Sequence, residues 1–358
     1  MPNAVDRALA PLALLLACSG ASEETASTSA ATTTSGPTST STEGGSETMT
    51  DASSTTLESS SGDPSGADLP DELTVLASGY ARSRPLRVQG DFVYWASFGP
   101  DPDGSGRVSR VPTAGGPVET LAEGLSAPMD LVVTADAVIW GDYATGIVAR
   151  APLAGGASSL VAEGYPKVIA LAHDEAHLYW ITGGAGGVLA RAPLRGGPDE
   201  ALLQGLDLAS AIVLLPTEVA WVENGGTAQI RAMPKAGGPI REITAVAGTS
   251  RSLLAADPYV YWLTVTPGGG VFRAPLDGGP AEPLVLPEVP SLFGLAQDDA
   301  RLYWADITAR ALYHADLAGG GPAPWVDGLM RPENLALTAT HVFFTDFDAG
   351  EVLRVGKP

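Results

Sequence analysis

The sequence predicts an all-β protein: a seven-bladed β-propeller whose last blade is closed by the N-terminal strand, preceded by a signal peptide and a disordered linker. Three observations carry this. Large aromatic residues recur 40–45 residues apart, at Trp95, Trp140, Trp180, Trp221, Trp262, Trp304 and Phe344. Gly-Gly pairs fall between them at Gly115, Gly155, Gly196, Gly237, Gly278 and Gly319. The seventh unit ends one strand short, and a spare strand sits at the other end. A period near 40 with about four strands per unit is the signature of propeller blades.

Each unit reads as four strands, A to D. Strand A is an apolar run such as Asp130-Leu131-Val132-Val133, and strand B is the aromatic stretch, as in Val93-Tyr94-Trp95. Strand C is a run like Val148-Ala149-Arg150-Ala151, and strand D one like Glu119-Thr120-Leu121-Ala122. Gly-Gly suits the positive φ angles of a two-residue hairpin turn between C and D. The repeated indole is expected in the core between blades, where an aromatic ring buries on the order of 150–250 Å². After Asp346 the chain supplies one more C strand, Glu351 to Val355, and stops. The segment from Glu72 to Tyr80 matches the D strands of other units, so it is expected to complete blade seven. Such a closure also removes exposed sheet edges.

Ahead of the repeats, Arg7 precedes an apolar run, Ala8 to Ala17, that ends at Cys18. That order is the order of a secretory signal, and the run is shorter than the about 20 residues needed to span a bilayer. Leu15-Leu16-Ala17-Cys18 resembles the lipobox of bacterial lipoproteins. The resemblance implies cleavage before Cys18, acylation of that residue, and anchoring to a bacterial membrane, the outer membrane or cell surface ahead of the inner. The competing reading is an ordinary signal peptide with an incidental cysteine. From Ser19 to Gly66 the chain is rich in Ser, Thr, Gly and Glu, with no Lys or Arg between Arg7 and Arg82. Such a stretch cannot bury enough surface to offset the entropy of ordering. The expected organisation is residues 1–17 as signal peptide, 18–66 as lipidated cysteine and linker, and 67–358 as propeller.

Composition narrows the function. The net charge of −21 excludes a general nucleic-acid binder, which needs a basic footprint. A single cysteine excludes intrachain disulfides and thiolate-rich zinc sites. No catalytic Ser-His-Asp order, nucleophile elbow, P-loop or dinucleotide fingerprint is present.

The units resemble the YWTD repeats of low-density-lipoprotein-receptor-type propellers. Tyr303-Trp304-Ala305-Asp306, Tyr179-Trp180-Ile181-Thr182 and Phe343-Phe344-Thr345-Asp346 carry the likeness, with Gly294-Leu295-Ala296 before the first of them. It spans about Leu73 to Val355 and departs in blade number, since that family has six. The resemblance implies a binding role and no particular chemistry.

Several residue sets are candidates for function. Arg110, Arg150, Arg191, Arg273 and Arg354, with His314, share one slot of strand C; a structural pairing with acids such as Asp142 or Asp346 is the expected role. Asp101, Asp103 and Ser105 have Ca²⁺-like oxygen spacing but lack the distal bidentate Glu of an EF-hand loop. The D–A loops concentrate basic residues, Arg82, Arg84, Lys167, Arg251 and Arg331, out of only 20 in the chain. Asp130, Phe293, Glu333 and Asn334 lie beside them. D–A and B–C loops share one face of a propeller, so Arg84, Lys167, Arg251 and Arg331 are expected to converge there on an anionic ligand, an anionic polymer or a protein partner. A metal-dependent hydrolase or lyase with a site over the channel is the alternative reading.

Overall fold

The computed structural model describes residues 73–99, 104–265, 269–286, 291–317 and 321–358. The signal segment, Cys18 and the linker lie outside the described residues, as do Asp101 and Asp103. Within the described residues, alternating apolar runs and closely spaced glycines favour short strands, and strands are the only regular elements there. There are seven four-stranded antiparallel sheets. Blade one shows the order: A is Ser83–Gln89, B is Phe92–Ser97, C is Gly106–Pro112 and D is Glu119–Leu125. The A strands of blades two to seven begin at Pro128, Val168, Ala209, Ser250, Leu292 and Pro332.

Blade seven closes as expected. Its fourth strand is Thr74–Ala77, paired antiparallel to the C strand Glu351–Gly356 with Thr74 opposite Arg354 and Val75 opposite Leu353. Leu76 and Ala77 are buried in one cluster with Trp95 and Val93 of blade one and Phe343 and Val352 of blade seven.

Burial has the same logic at every blade boundary. Each of the seven apolar clusters joins the facing surfaces of two neighbouring blades, as when Ala220, Val222 and Ile230 of blade four meet Trp262 of blade five. The six tryptophans and Phe344 at the repeat position are 0–2% exposed. Two of the indoles take a tyrosine edge-on from the preceding D–A loop, Tyr80 on Trp95 and Tyr165 on Trp180, at centroid distances of 5.0 and 5.1 Å.

The loops differ from the expectation in two respects. The Gly-Gly pairs do not make two-residue hairpins. The first glycine of the five described pairs closes a Pro-x-x-Gly turn, as in the bond from Gly115 N–H to the Pro112 carbonyl at 2.8 Å, inside a longer connection, and the pair at Gly319 lies outside the described residues. Both glycines sit at positive φ, 88° and 143° at Gly115 and Gly116. The acids that pair with the strand C arginines are also different. Arg110, Arg191 and Arg273 bind Glu119, Glu200 and Glu282 at the start of their own D strands. Arg150, Arg191 and Arg354 donate to the carbonyls of Leu194, Lys235 and Thr113 in the next blade's C–D turn. The arginine slot is therefore structural, as expected, and it ties blade to blade. Asp142 and Asp346 instead accept backbone N–H groups, Asp142 from Ser126, Ala127, Ala144 and Thr145. Asp346 does the same for Met330, Arg331 and Ala349. Each carboxylate thereby splices a D–A loop to the following B–C loop.

His314 packs among Tyr303 and Trp325 rather than lining a site. Burial lowers the pKa of its ring. The chain end adds a second closure: Lys357 Nζ lies 2.7 Å from Asp298 of blade six, helping to hold that carboxyl down at about 2 against its burial.

Candidate functional site at the channel mouth

Every A strand carries a β-bulge near its D–A end. The register against strand B shifts between Ser83 and Leu86, Pro128 and Asp130, Val168 and Ala170, Ala209 and Ala211, Ser250 and Ser252, Phe293 and Leu295, and Pro332 and Leu335. A bulge inserts one unpaired residue and re-aims its side chain. Counting back two from the residue opposite each aromatic anchor, the slot holds Arg84, Met129, Ile169, Ser210, Arg251, Phe293 and Glu333 in ring order. A short-period repeat thus places seven non-equivalent side chains at one end of the innermost strands.

The charged ones lie on blades five to one, counted through seven. Glu333 has a side chain only 1% exposed and is gripped by two guanidinium groups, Arg331 Nε at 3.0 Å and Arg84 Nε at 3.2 Å. The Arg84 contact is an ion pair without hydrogen-bond alignment, so that buried Nε–H has no acceptor in line. Both guanidinium groups also sit over the ring of Phe347, at 5.1 Å for Arg84 and 4.5 Å for Arg331. Arg251 lies 6.0 Å from the centre of the Phe293 ring. Its guanidinium makes no hydrogen bond or ion pair within the described residues. Burial pushes the Arg84 guanidinium below its ordinary value, with Glu333 opposing and the nearby Arg331 and Arg251 reinforcing the shift. Burial likewise pushes the Glu333 carboxyl up, against the pull of Arg84 and Arg331. Two guanidinium groups therefore share the buried Glu333 carboxylate, Arg251 lies near Arg84 without joining the ion pair, and Asp348 is the second acid close to Glu333.

The backbone is built for close approach here. Gly294, at φ +55°, occupies the blade-six bulge, and a Cβ on it would come within 2.3 Å of the Glu333 carbonyl oxygen. Only glycine lets blade six pass this near to the charged strand. Asn334, next to Glu333 in the blade-seven bulge, is partly exposed and its amide is unbonded within the described residues.

Not every candidate joins this cluster. Arg82 is exposed on its loop at φ +58°. Lys167, at φ +65°, reaches over Gly184 and lines a separate cleft of about 460 Å³ with Tyr165, Asp199 and Gln204. Three cations converge, not the expected four. Asp130 is a fastener between blades: it accepts from Arg87 at 2.8 Å in blade one and from the Leu171 N–H at 2.8 Å in blade three. Burial raises its carboxyl pKa, opposed by those contacts. Ser105 is described, yet without Asp101 and Asp103 the calcium reading has no geometry to rest on. Among the described residues no group of three or more His, Cys, Asp or Glu side chains is placed to hold a metal ion.

Two participants escape residue-type reasoning. Phe347 follows the Phe-Phe-Thr-Asp motif directly, and a B–C loop position was the available signal for it. Arg87 stands one residue beyond the slot opposite Trp95, and its distant partner in blade two leaves no trace in local sequence.

No protein-family model matches this sequence, and no curated protein does. Solved structures do share its shape. Virginiamycin B lyase from Staphylococcus aureus superposes with a TM-score of 0.67 at 12% identity, over 80% of this chain and 99% of that one. A streptogramin B lyase gives 0.65 at 10% identity, over 79% of this chain and 97% of that one. The computationally designed Ika8 protein gives 0.58 at 14% identity, over 80% and 99%. At such identities the likeness shows the β-propeller fold and nothing of its chemistry.

Proposed function

We propose that this chain is a non-catalytic binding propeller of the bacterial envelope, held to the membrane through a lipid on Cys18 and built from YWTD-type repeats. It captures an anion, free or as part of a polymer or protein partner, at the mouth formed by the D–A and B–C loops. One observation carries the reading. Arg84 and Arg331 hold one buried acid, Arg251 stands near Arg84 with no ion pair of its own, and the group keeps unused N–H donors on a chain of net charge −21. Solubility needs no such arrangement. A planar guanidinium fork is suited to carboxylate and phosphate oxygens, and Phe347 and Glu333 hold two of the forks in place. Leu73, the first described residue, precedes the D strand of blade seven and so lies at the opposite end from the mouth.

The rival reading is a metal-dependent hydrolase or lyase, which shares its fold with the two lyases above. The donors at this mouth are guanidinium groups, which repel a cation, and that favours the binding reading.

Calorimetric titration of the protein with inorganic phosphate tests it. Affinity should fall at least about fivefold between low and physiological salt, because added salt shortens the Debye length to about 8 Å and weakens the pull of the exposed guanidinium charges on the anion. Arg251→Ala should weaken phosphate severalfold and leave the melting temperature unchanged, since that side chain has no internal ion pair to lose. Binding indifferent to both salt and Arg251 would remove the proposal.

A further inference from the structure

The bulge ring is two-sided, and this deepens the anion-binding reading, on which it rests. Blades five, six, seven and one bring Arg251, Phe293, Glu333 and Arg84 to the ring. Blades two and three bring Met129 and Ile169 to the same slot, both partly exposed. Blade four adds Leu208 two residues ahead of the slot, 47% exposed. Leu208 also holds φ at +54°, in the left-handed region that disfavours a leucine. The same conformation recurs two residues ahead of the slot at Arg82 and Lys167, so it belongs to the D–A loop, and what is particular to blade four is that an apolar side chain is left exposed there. Lys167, also in blade three, does not offset this side, because it turns into its own cleft. Apolar side chains therefore stand across the mouth from the guanidinium groups.

We infer that the ligand of this mouth is an anionic amphiphile: a carboxylate or phosphate head held by Arg84, Arg251 and Arg331, with an apolar chain laid over Met129, Ile169 and Leu208. A small inorganic anion uses half of the ring, and a purely apolar ligand leaves the guanidinium groups unmatched.

The test is calorimetry on the full chain with acetate, butyrate, hexanoate and octanoate, each below its micelle concentration, beside inorganic phosphate. Transfer of a methylene out of water is worth about 0.8 kcal/mol, so affinity should climb roughly two- to fourfold per added CH₂. Met129→Ser, a position in none of the buried clusters, should flatten that slope and spare phosphate and acetate. Arg251→Ala should weaken every member of the series by the same factor. If phosphate binds but affinity is flat with chain length, or if Met129→Ser leaves the slope unchanged, the amphiphile inference fails and the anion reading stands. If neither phosphate nor any carboxylate binds, both fail. Binding to anionic phospholipid vesicles without binding of soluble carboxylates would overturn the inference in favour of a membrane-docking face.

Discussion

Removing residues 1–79 should abolish cooperative unfolding, while removing residues 1–66 should leave the full thermal transition. The segment that separates the two, residues 67–79, carries one four-residue strand, Thr74–Ala77. Without it the C strand of blade seven becomes an open edge with unpaired N–H and C=O groups. Leu76 and Ala77, now 8% and 6% exposed, leave the cluster they share with Trp95 and Phe343. Burial of those two side chains and the lost ladder bonds together amount to about 5 kcal/mol. The cost falls on the ring, because blades one and seven are held to each other partly through this strand. Circular dichroism melts of the two truncated chains check the expectation. A sharp transition at the original temperature in the shorter chain would show that the ring closes some other way.

The second large effect is at Arg84. From residue types alone Arg84 is a rim charge, and replacing it together with Arg251 is expected to spare stability. The geometry predicts otherwise. Glu333 is 1% exposed, and Arg84→Ala takes away one of its two guanidinium partners. Stranding a buried charge outright costs about 3–5 kcal/mol, and because Arg331 still holds Glu333 the cost here should be a fraction of that. The double change Arg84→Ala with Glu333→Gln should recover more than half of the loss, because no charge is then stranded. Urea denaturation of the two variants separates the cases. Equal stability of Arg84→Ala and the parent would mean that water already solvates the carboxylate.

The architecture was legible because its demands repeat. Seven blade boundaries each need a large ring in one place, so Trp95 to Phe344 announce themselves by spacing. Closure was legible because Leu73-Thr74-Val75-Leu76-Ala77 has the make-up of a D strand with no unit of its own. The basic residues of the mouth were visible as a local excess in an acidic chain. Their arrangement was not. Bulges turn Arg84, Arg251 and Glu333 to one end of strand A, and a bulge is set by register between strands rather than by residue type. Asp142 and Asp346 were misread for a related reason. Their partners are backbone N–H groups, which every residue but proline carries, so the sequence offers nothing to pair them with. Lys167 looked equivalent to its neighbours in the repeat, but its side chain follows Gly184 into the adjoining cleft.

The central claim is that the three arginines form an anion site. Diffraction from crystals soaked in selenate, with anomalous data collected at the selenium edge, tests it most directly. The account predicts a peak between the guanidinium groups of Arg84, Arg251 and Arg331, at the D–A end of the channel, that disappears in Arg251→Ala. An empty mouth in crystals whose other surfaces take up selenate would contradict it.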